Sequence, residues 1–478
     1  MNLPDVCRPA TIPWLVPLAL LLTAACGTSS TPGPGIDPPS IQDFRAEPTT
    51  AAVGERAQLI AVFSGTSAEI EGLGPVQSGQ PVQTGVLSGS TAFSLKVRRG
   101  GREAVSQLTV AVHYRDRFRA LDPSPVARTG HVAMVLPDGS ALLMGGISSE
   151  AINTPESDTT QRFDVATEAL SNGPELALTA SAFDRGFTVP VALQGGAFLL
   201  VGGGVNSGVG IGTHPGALTQ RFDPALQQFK RVGDLRVLRS GDATATLLAD
   251  GRVLMTGGGF PGARASETFD PATGTWTRGE DMVVGRRLHT ATLLVDGRVL
   301  IAGGTICCTS TGEEYSASAE LYDPSTGKFE ITDHLTLRRS LHRATLLRDG
   351  RVLISGGLGR ADPADGDSAL AASEVYDPVT GKFSALGTLQ IARFDHSATL
   401  LTDGRVLVTG GARSVDEFNV PLAEAELFDP ATGQWTPGPR LDPAWRHTTA
   451  TLLGNGRVLL FGGEDAQGFP RPTVGLFE

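Results

Sequence analysis

The amino-acid sequence predicts an all-β chain dominated by one repeated sheet unit, and three observations carry that expectation. Glycine pairs begin at Gly145, Gly202, Gly257, Gly303, Gly356, Gly410 and Gly462, spaced 46 to 57 residues apart. Each pair ends a strand-turn-strand segment, clearest in residues 289–304, 342–357 and 396–411, which turn on an Asp-Gly dipeptide. Glycine supplies 60 of 478 residues, about twice the usual share of roughly 7%. No collagen-like period accompanies it, so the excess signals many turns.

Composition narrows the function classes. The chain carries 39 basic and 50 acidic side chains, a formal charge of −11, and so lacks the cationic excess with which nucleic-acid binders displace counterions. The four cysteines are Cys7, Cys26, Cys307 and Cys308. Two of them fall in or at the end of an N-terminal apolar segment, which leaves no basis for a disulfide framework.

Taken in order, residues 12–25 form a 14-residue apolar stretch broken by Pro13 and Pro17. It is too short for a bilayer core of about 30 Å but has the length of a signal-peptide core. The segment Leu22-Thr23-Ala24-Ala25-Cys26 resembles a bacterial lipoprotein signal, with Thr23 where that pattern usually has Leu. The resemblance implies a signal peptide of residues 1–25, acylation of Cys26 and a lipid-anchored place in the cell envelope, at the outer membrane or cell surface. Several acyl chains make a stable anchor where one does not. Residues 26–40, rich in Pro, Gly and Ser, read as a flexible tether. Residues 41–113 hold short alternating segments such as 58–63, 92–97 and 105–112 between Gly and Ser turns. They predict a small β-sandwich. The sandwich resembles bacterial immunoglobulin-like domains, without the Cys and Trp marks of antibody domains.

Residues 114–478 hold the repeats. An Asp-Gly or Asn-Gly dipeptide recurs at Gly139, Gly251, Gly297, Gly350, Gly404 and Gly456, with Gly195-Gly196 in the second copy; both central positions of a two-residue type I′ hairpin need positive φ. Behind each glycine pair come a variable loop, a strand ending in an aromatic residue, a turn and a second aromatic. Phe269 with Trp276, Tyr322 with Phe329, Tyr376 with Phe383 and Phe428 with Trp435 show the interval, with Asp-Pro-x-Thr-Gly between. This pattern resembles the kelch repeat, in which one repeat is one four-stranded blade of a β-propeller. The resemblance implies seven blades. The last copy stops at Phe477-Glu478, short of a fourth strand, while residues 114–121 are an unmatched fourth strand at the other end. Joining the two closes the ring and removes a free sheet edge.

Candidate chemistry is sparse. Arg-x-x-His recurs as Arg128/His131, Arg286/His289, Arg339/His342 and Arg393/His396. A residue fixed by repeat register reports on packing, so these histidines are expected between blades rather than on a metal. Asp270, Asp323, Asp377 and Asp429 belong to the turns. Kelch propellers include the galactose oxidase family, copper radical enzymes whose metal is held by two Tyr and two His, one Tyr being thioether-linked to Cys. With four tyrosines in the chain, two of them repeat aromatics, that ligand set is not matched. Kelch sialic acid epimerases offer a second enzymatic analogy without a residue-level match.

The remaining expectation is a binding face. Long, dissimilar loops follow every glycine pair and gather on one rim, the usual place of function in repeat proteins. Phe260, Cys307, Cys308, Tyr315, Phe418 and Phe469 are its candidate ligand contacts. Cys307-Cys308 could close a vicinal disulfide, whose Cα separation of about 3.8 Å would strain it. The sequence thus reads as an envelope lipoprotein whose propeller binds a glycan or protein ligand, with no cofactor, no metal, no nucleic-acid partner and no catalysis. A carbohydrate-active enzyme, oxidase-like or epimerase-like, is the alternative, and a purely structural envelope protein is the third reading.

Overall fold

The computed structural model describes residues 37–146, 159–177, 184–204, 217–239, 242–259, 263–309, 312–360, 367–413 and 420–478. The signal segment, Cys26 and most of the tether lie outside them. The first module is two sheets sharing one apolar core. Strands Ser40–Glu47, Gln58–Ser64 and Pro81–Gln83 form one sheet, and Thr50–Ala52, Arg102–His113, Thr91–Arg99, Ser67–Ile70 and Gly74–Pro75 form the other. Leu59, Ile70, Leu95, Val97 and Val110 are sealed between them, as alternation of side chains across a strand requires.

Beyond it, among the described residues, stand seven four-stranded antiparallel sheets, opened by the innermost strands Val132–Val135, Asp184–Ala192, Thr244–Leu247, Thr290–Leu293, Arg343–Leu346, Ser397–Leu400 and Thr449–Leu452. They are called sheets 1 to 7. Each innermost strand neighbours the next, and the last neighbours the first, so the sheets form a ring around a channel. The second strands, such as Val299–Ala302 and Val352–Ser355, are buried along their whole length. Both faces of each sheet are covered by neighbours, which explains their continuous apolar runs where a one-sided sheet would alternate.

A recurring polar unit locks sheets 3 to 6. In sheet 4, Arg286 Nη1 donates to Gly303 O at 2.7 Å and Nη2 to Glu320 Oε1 at 2.7 Å. Glu320 also accepts the backbone N–H groups of Val283 and Val284 at 2.7 and 2.9 Å. The same arrangement joins Arg239 with Glu267, Arg339 with Glu374 and Arg393 with Glu426. One carboxylate therefore satisfies a buried guanidinium and fixes the segment entering the sheet, which makes the burial of both charges tolerable. Asp270, Asp323, Asp377 and Asp429 accept backbone N–H groups two residues on, at 2.8 to 2.9 Å. Their carboxylates shape turns.

The repeat histidines stand between sheets. His289 Nε2 meets Thr244 Oγ1 of the preceding sheet at 2.9 Å, His342 meets Thr290 at 3.1 Å and His131 meets Thr449 at 2.9 Å. Their rings lie against the first glycine of the preceding pair: a Cβ on Gly303 would come within 2.7 Å of the His342 ring. Burial, with an arginine nearby, holds His131 and His289 at about 3 and His342 and His396 well below the ordinary imidazole value, so all four are neutral.

Sheet 7 takes its fourth strand from the N-terminal side of the repeats, Phe118–Ala120 pairing with Val474–Phe477. The pairing is shorter than the expected 114–121 because Tyr114 is used otherwise. Its ring stacks on Phe477 at 5.4 Å and its hydroxyl donates to Gly456 O at 2.6 Å. Arg405 grips Asp116 through two bonds of 2.8 Å. Val53 of the first module packs into the same apolar cluster as Leu401, Leu407 and Val458. The module is thereby seated on the short-turn rim of sheets 6 and 7.

Candidate functional site at the channel mouth

One residue before each innermost strand but that of sheet 2 comes the repeat histidine or its replacement, and before that a residue with positive φ. In chain order these positive-φ positions are Gly130, Asp242, Leu288, Leu341, Asp395 and His447. They circle the channel on the long-loop rim. Leu288 N bonds Asp242 O, Leu341 N bonds Leu288 O and Asp395 N bonds Leu341 O, so backbone hydrogen bonds join four successive positions of this hoop. Non-glycine residues in the left-handed region are uncommon, and here those bonds hold Asp242, Leu288, Leu341 and Asp395 in place.

The hoop turns polar where the repeat fails. The last copy reads Trp445-Arg446-His447-Thr448 against Arg393-Phe394-Asp395-His396. Trp445 replaces the buried arginine, and Gly475 stands where sheets 3 to 6 have its glutamate. Thr448 replaces the histidine packed between sheets. His447 sits one position earlier, at the channel mouth, with its side chain 41% exposed. Its Nε2 lies 2.5 Å from Asp395 Oδ2 and its Nδ1 2.9 Å from Glu464 Oε1. Arg446 Nε lies 2.7 Å from Glu464, and Thr129 Oγ1 donates to the other Glu464 oxygen at 3.2 Å. Arg343 donates to Asp395 Oδ1 at 3.3 Å.

The electrostatics separate acid from base. Burial alone would lower His447, but the hydrogen bonds and charges of Asp395 and Glu464 raise it to about 10. Burial pushes Asp395 and Glu464 up, and the imidazolium and neighbouring arginines hold both below the usual carboxylate range. At neutral pH an imidazolium therefore stands between two carboxylates at the channel mouth. Arg343, Asp395, Ser397, His447 and Thr449 line a cavity of 360 Å³ in the channel.

A second cavity of 530 Å³ opens off the axis on the same rim, beside Leu288 and Leu341. Two small sheets flank it: Arg286–Arg287 with Thr305–Thr309 and Gly312–Tyr315, and Arg339–Ser340 with Leu358–Gly359 and Ser368–Ala369. The segment after Gly303-Gly304, expected as a long loop, thus holds two paired strands. Tyr315 lines the cavity and its hydroxyl donates to Asp367 at 2.8 Å, while Arg360 Nε reaches the other Asp367 oxygen at 2.7 Å.

Of the residues read from sequence, Tyr315 lies in this cavity. Cys307 and Cys308 fall in strand Thr305–Thr309, where the pairing register shifts between Ile306 and Thr309. Phe469 is exposed, its N–H donating to Asp465 at 2.9 Å, and it lines neither cavity. Phe260, Phe418 and Cys26 lie outside the described residues. Arg343, Asp395, His447 and Glu464 were not legible as a site, although the one-residue displacement of His447 from Arg-x-x-His was a usable signal.

No family model matches the chain. It is 26% identical over 148 residues to galactose oxidase of Gibberella zeae, a stretch covering 29% of this chain and 21% of that protein. The chain thus spans about a fifth of the length of that curated relative. Among solved structures it is similar to a fungal alcohol oxidase of the AA5 family determined in complex with copper, with a TM-score of 0.58 and 18% identity. That match covers 75% of this chain and 76% of the other. The architecture is an all-β propeller fold of the galactose oxidase type. These likenesses correct one expectation. The sequence, lacking a matched copper ligand set, predicts a non-catalytic chain, yet the proteins it resembles are enzymes.

The donor set around the channel does not fit copper held by two Tyr and two His. Tyr114 is committed to Gly456 and Thr402, Tyr322 and Tyr376 are buried repeat aromatics, and Tyr315 faces Asp367 off the axis. The four repeat histidines are buried between sheets, and His447 holds two carboxylates. Among the described residues no three His, Cys, Asp or Glu side chains are placed to share a metal ion.

Proposed function

We propose that the chain is a carbohydrate-active enzyme whose site is the channel mouth and whose chemistry is acid-base at a sugar. The carrying observation is His447 bridged to Asp395 and Glu464 where the repeat pattern breaks. In this reading the ring is a seven-bladed kelch propeller carried on an immunoglobulin-like stalk. Lipidated Cys26 holds both at the envelope, and labelled palmitate equally retained by Cys26→Ala would remove that anchor. The off-axis cavity with Tyr315 supplies an aromatic surface for the remainder of a glycan.

A carboxylate beside His447 takes the proton of the anomeric hydroxyl while the imidazolium delivers one to the ring oxygen; the bond from C1 to the ring oxygen breaks to give the open-chain aldehyde, and closure on its other face returns both protons and yields the other anomer. The test incubates the full chain with a panel of hexoses and hexuronates, following anomer exchange by NMR and peroxide by a coupled assay. Accelerated exchange, reduced at least 100-fold in Asp395→Asn and His447→Gln, is expected, in line with about 10²–10⁴-fold for general acid-base groups. No acceleration, or peroxide formed only after copper loading and indifferent to both substitutions, overturns the proposal.

A further inference from the structure

Arg343 departs from its repeat in a way that points to the substrate. It opens the innermost strand of sheet 5, at the position held by Thr244, Thr290, Ser397 and Thr449 in sheets 3, 4, 6 and 7. In those sheets the hydroxyl has a structural task. Thr244, Thr290 and Thr449 meet the histidine of the next sheet, and Ser397 donates to Thr448 O at 2.7 Å. Sheet 5 has given that task away, because His396 bonds Ser355 Oγ at 3.0 Å instead. The arginine so released lines the 360 Å³ channel cavity, a volume within the ~300–1,000 Å³ typical of small-molecule sites.

Charge bookkeeping at the mouth agrees. Arg343, Arg446 and His447 face the two carboxylates Asp395 and Glu464, leaving one positive charge in a molecule whose formal charge is −11. Arg343 makes a single 3.3 Å bond to Asp395 and, among the described residues, no other partner is recorded for it. A guanidinium has five N–H donors, and its planar fork matches a carboxylate. The cavity's other polar wall, Ser397, Thr449 and Thr451, suits sugar hydroxyls.

We propose that the channel takes an acidic sugar, with its carboxylate on Arg343 and its hydroxyls toward Asp395 and the Ser397 and Thr449 side. The inference rests on the channel mouth being the active site and names its substrate class. Calorimetric titration of the full chain compares galacturonate with galactose and glucuronate with glucose, at low and physiological salt. At least one uronate is expected to bind ten times or more tighter than its hexose, the preference shrinking with salt. Arg343→Gln removes the preference and Arg343→Lys keeps part of it, with unfolding midpoints measured on both variants to show that each is folded.

Equal affinity for uronate and hexose, a preference that survives Arg343→Gln, or no saturable binding of any of the four sugars overturns the inference. The two readings fail separately. Turnover of neutral hexoses without uronate preference sinks this one alone, whereas Arg343-dependent uronate binding without turnover supports it and sinks the catalytic reading.

Discussion

Arg286 and Glu320 meet at 2.7 Å with both side chains withdrawn from solvent, and the carboxylate spends its remaining capacity on two backbone N–H groups. The pair ties the segment entering sheet 4 to its third strand, Ser318–Asp323. Removing one partner strands a buried charge. Glu320→Ala is therefore expected to lower the unfolding free energy by about 3–5 kcal/mol, read from urea denaturation. Arg286→Met combined with Glu320→Leu recovers most of the loss, as the Trp445 and Gly475 combination in sheet 7 suggests. A double variant as unstable as the single one would contradict this account.

The buried histidines set an acid limit. His131 and His289 sit at about 3 in the folded chain against an ordinary 6.5, so between those values the unfolded chain binds more protons. Stability is full above about pH 6.5 and falls toward pH 3, by up to about 1.4 kcal/mol per pH unit for each site. His447 acts oppositely: raised to about 10, it contributes stability that is full below pH 6.5 and is lost as pH rises through 10. Urea midpoints from pH 4 to 10 should trace a maximum near pH 6.5, where the two limbs meet, and a midpoint constant down to pH 4 would refute the acid limb.

Ring closure makes a third prediction. Phe118–Ala120 is the fourth strand of sheet 7, and Arg119 holds Glu168 of sheet 1 through two bonds of 2.8 Å. A chain beginning at Asp122 loses both, along with Tyr114 and Asp116. Calorimetry should show the single cooperative transition broadened or split, since a ring with an open edge no longer couples its first and last sheets. An unchanged transition would show that the closing strand is dispensable.

At the channel mouth, Glu464→Gln removes one of the two carboxylates that raise His447. The imidazole should titrate at lower pH, observable by NMR, and the alkaline limb of any sugar-exchange activity should move down with it. An imidazole that titrates unchanged would mean that Glu464 does not hold it.

The sequence by itself determined the architecture. Asp-Gly, Gly-Gly and Asp-Pro-x-Thr-Gly make local backbone demands, positive φ at Gly297, Gly303 and Gly327 among them, and such demands are visible wherever they repeat. It also placed His131, His289, His342 and His396 as packing residues, because register fixed them. Only the tertiary structure decided the site. Arg343, Asp395, His447 and Glu464 come from sheets 5, 6 and 7 and are separated by up to 121 residues. They converge because a closed ring carries equivalent positions of successive sheets to one axis, where a residue that departs from its repeat meets the departures of its neighbours. A one-dimensional reading sees His447 as an imperfect copy; in the ring it lies between two carboxylates.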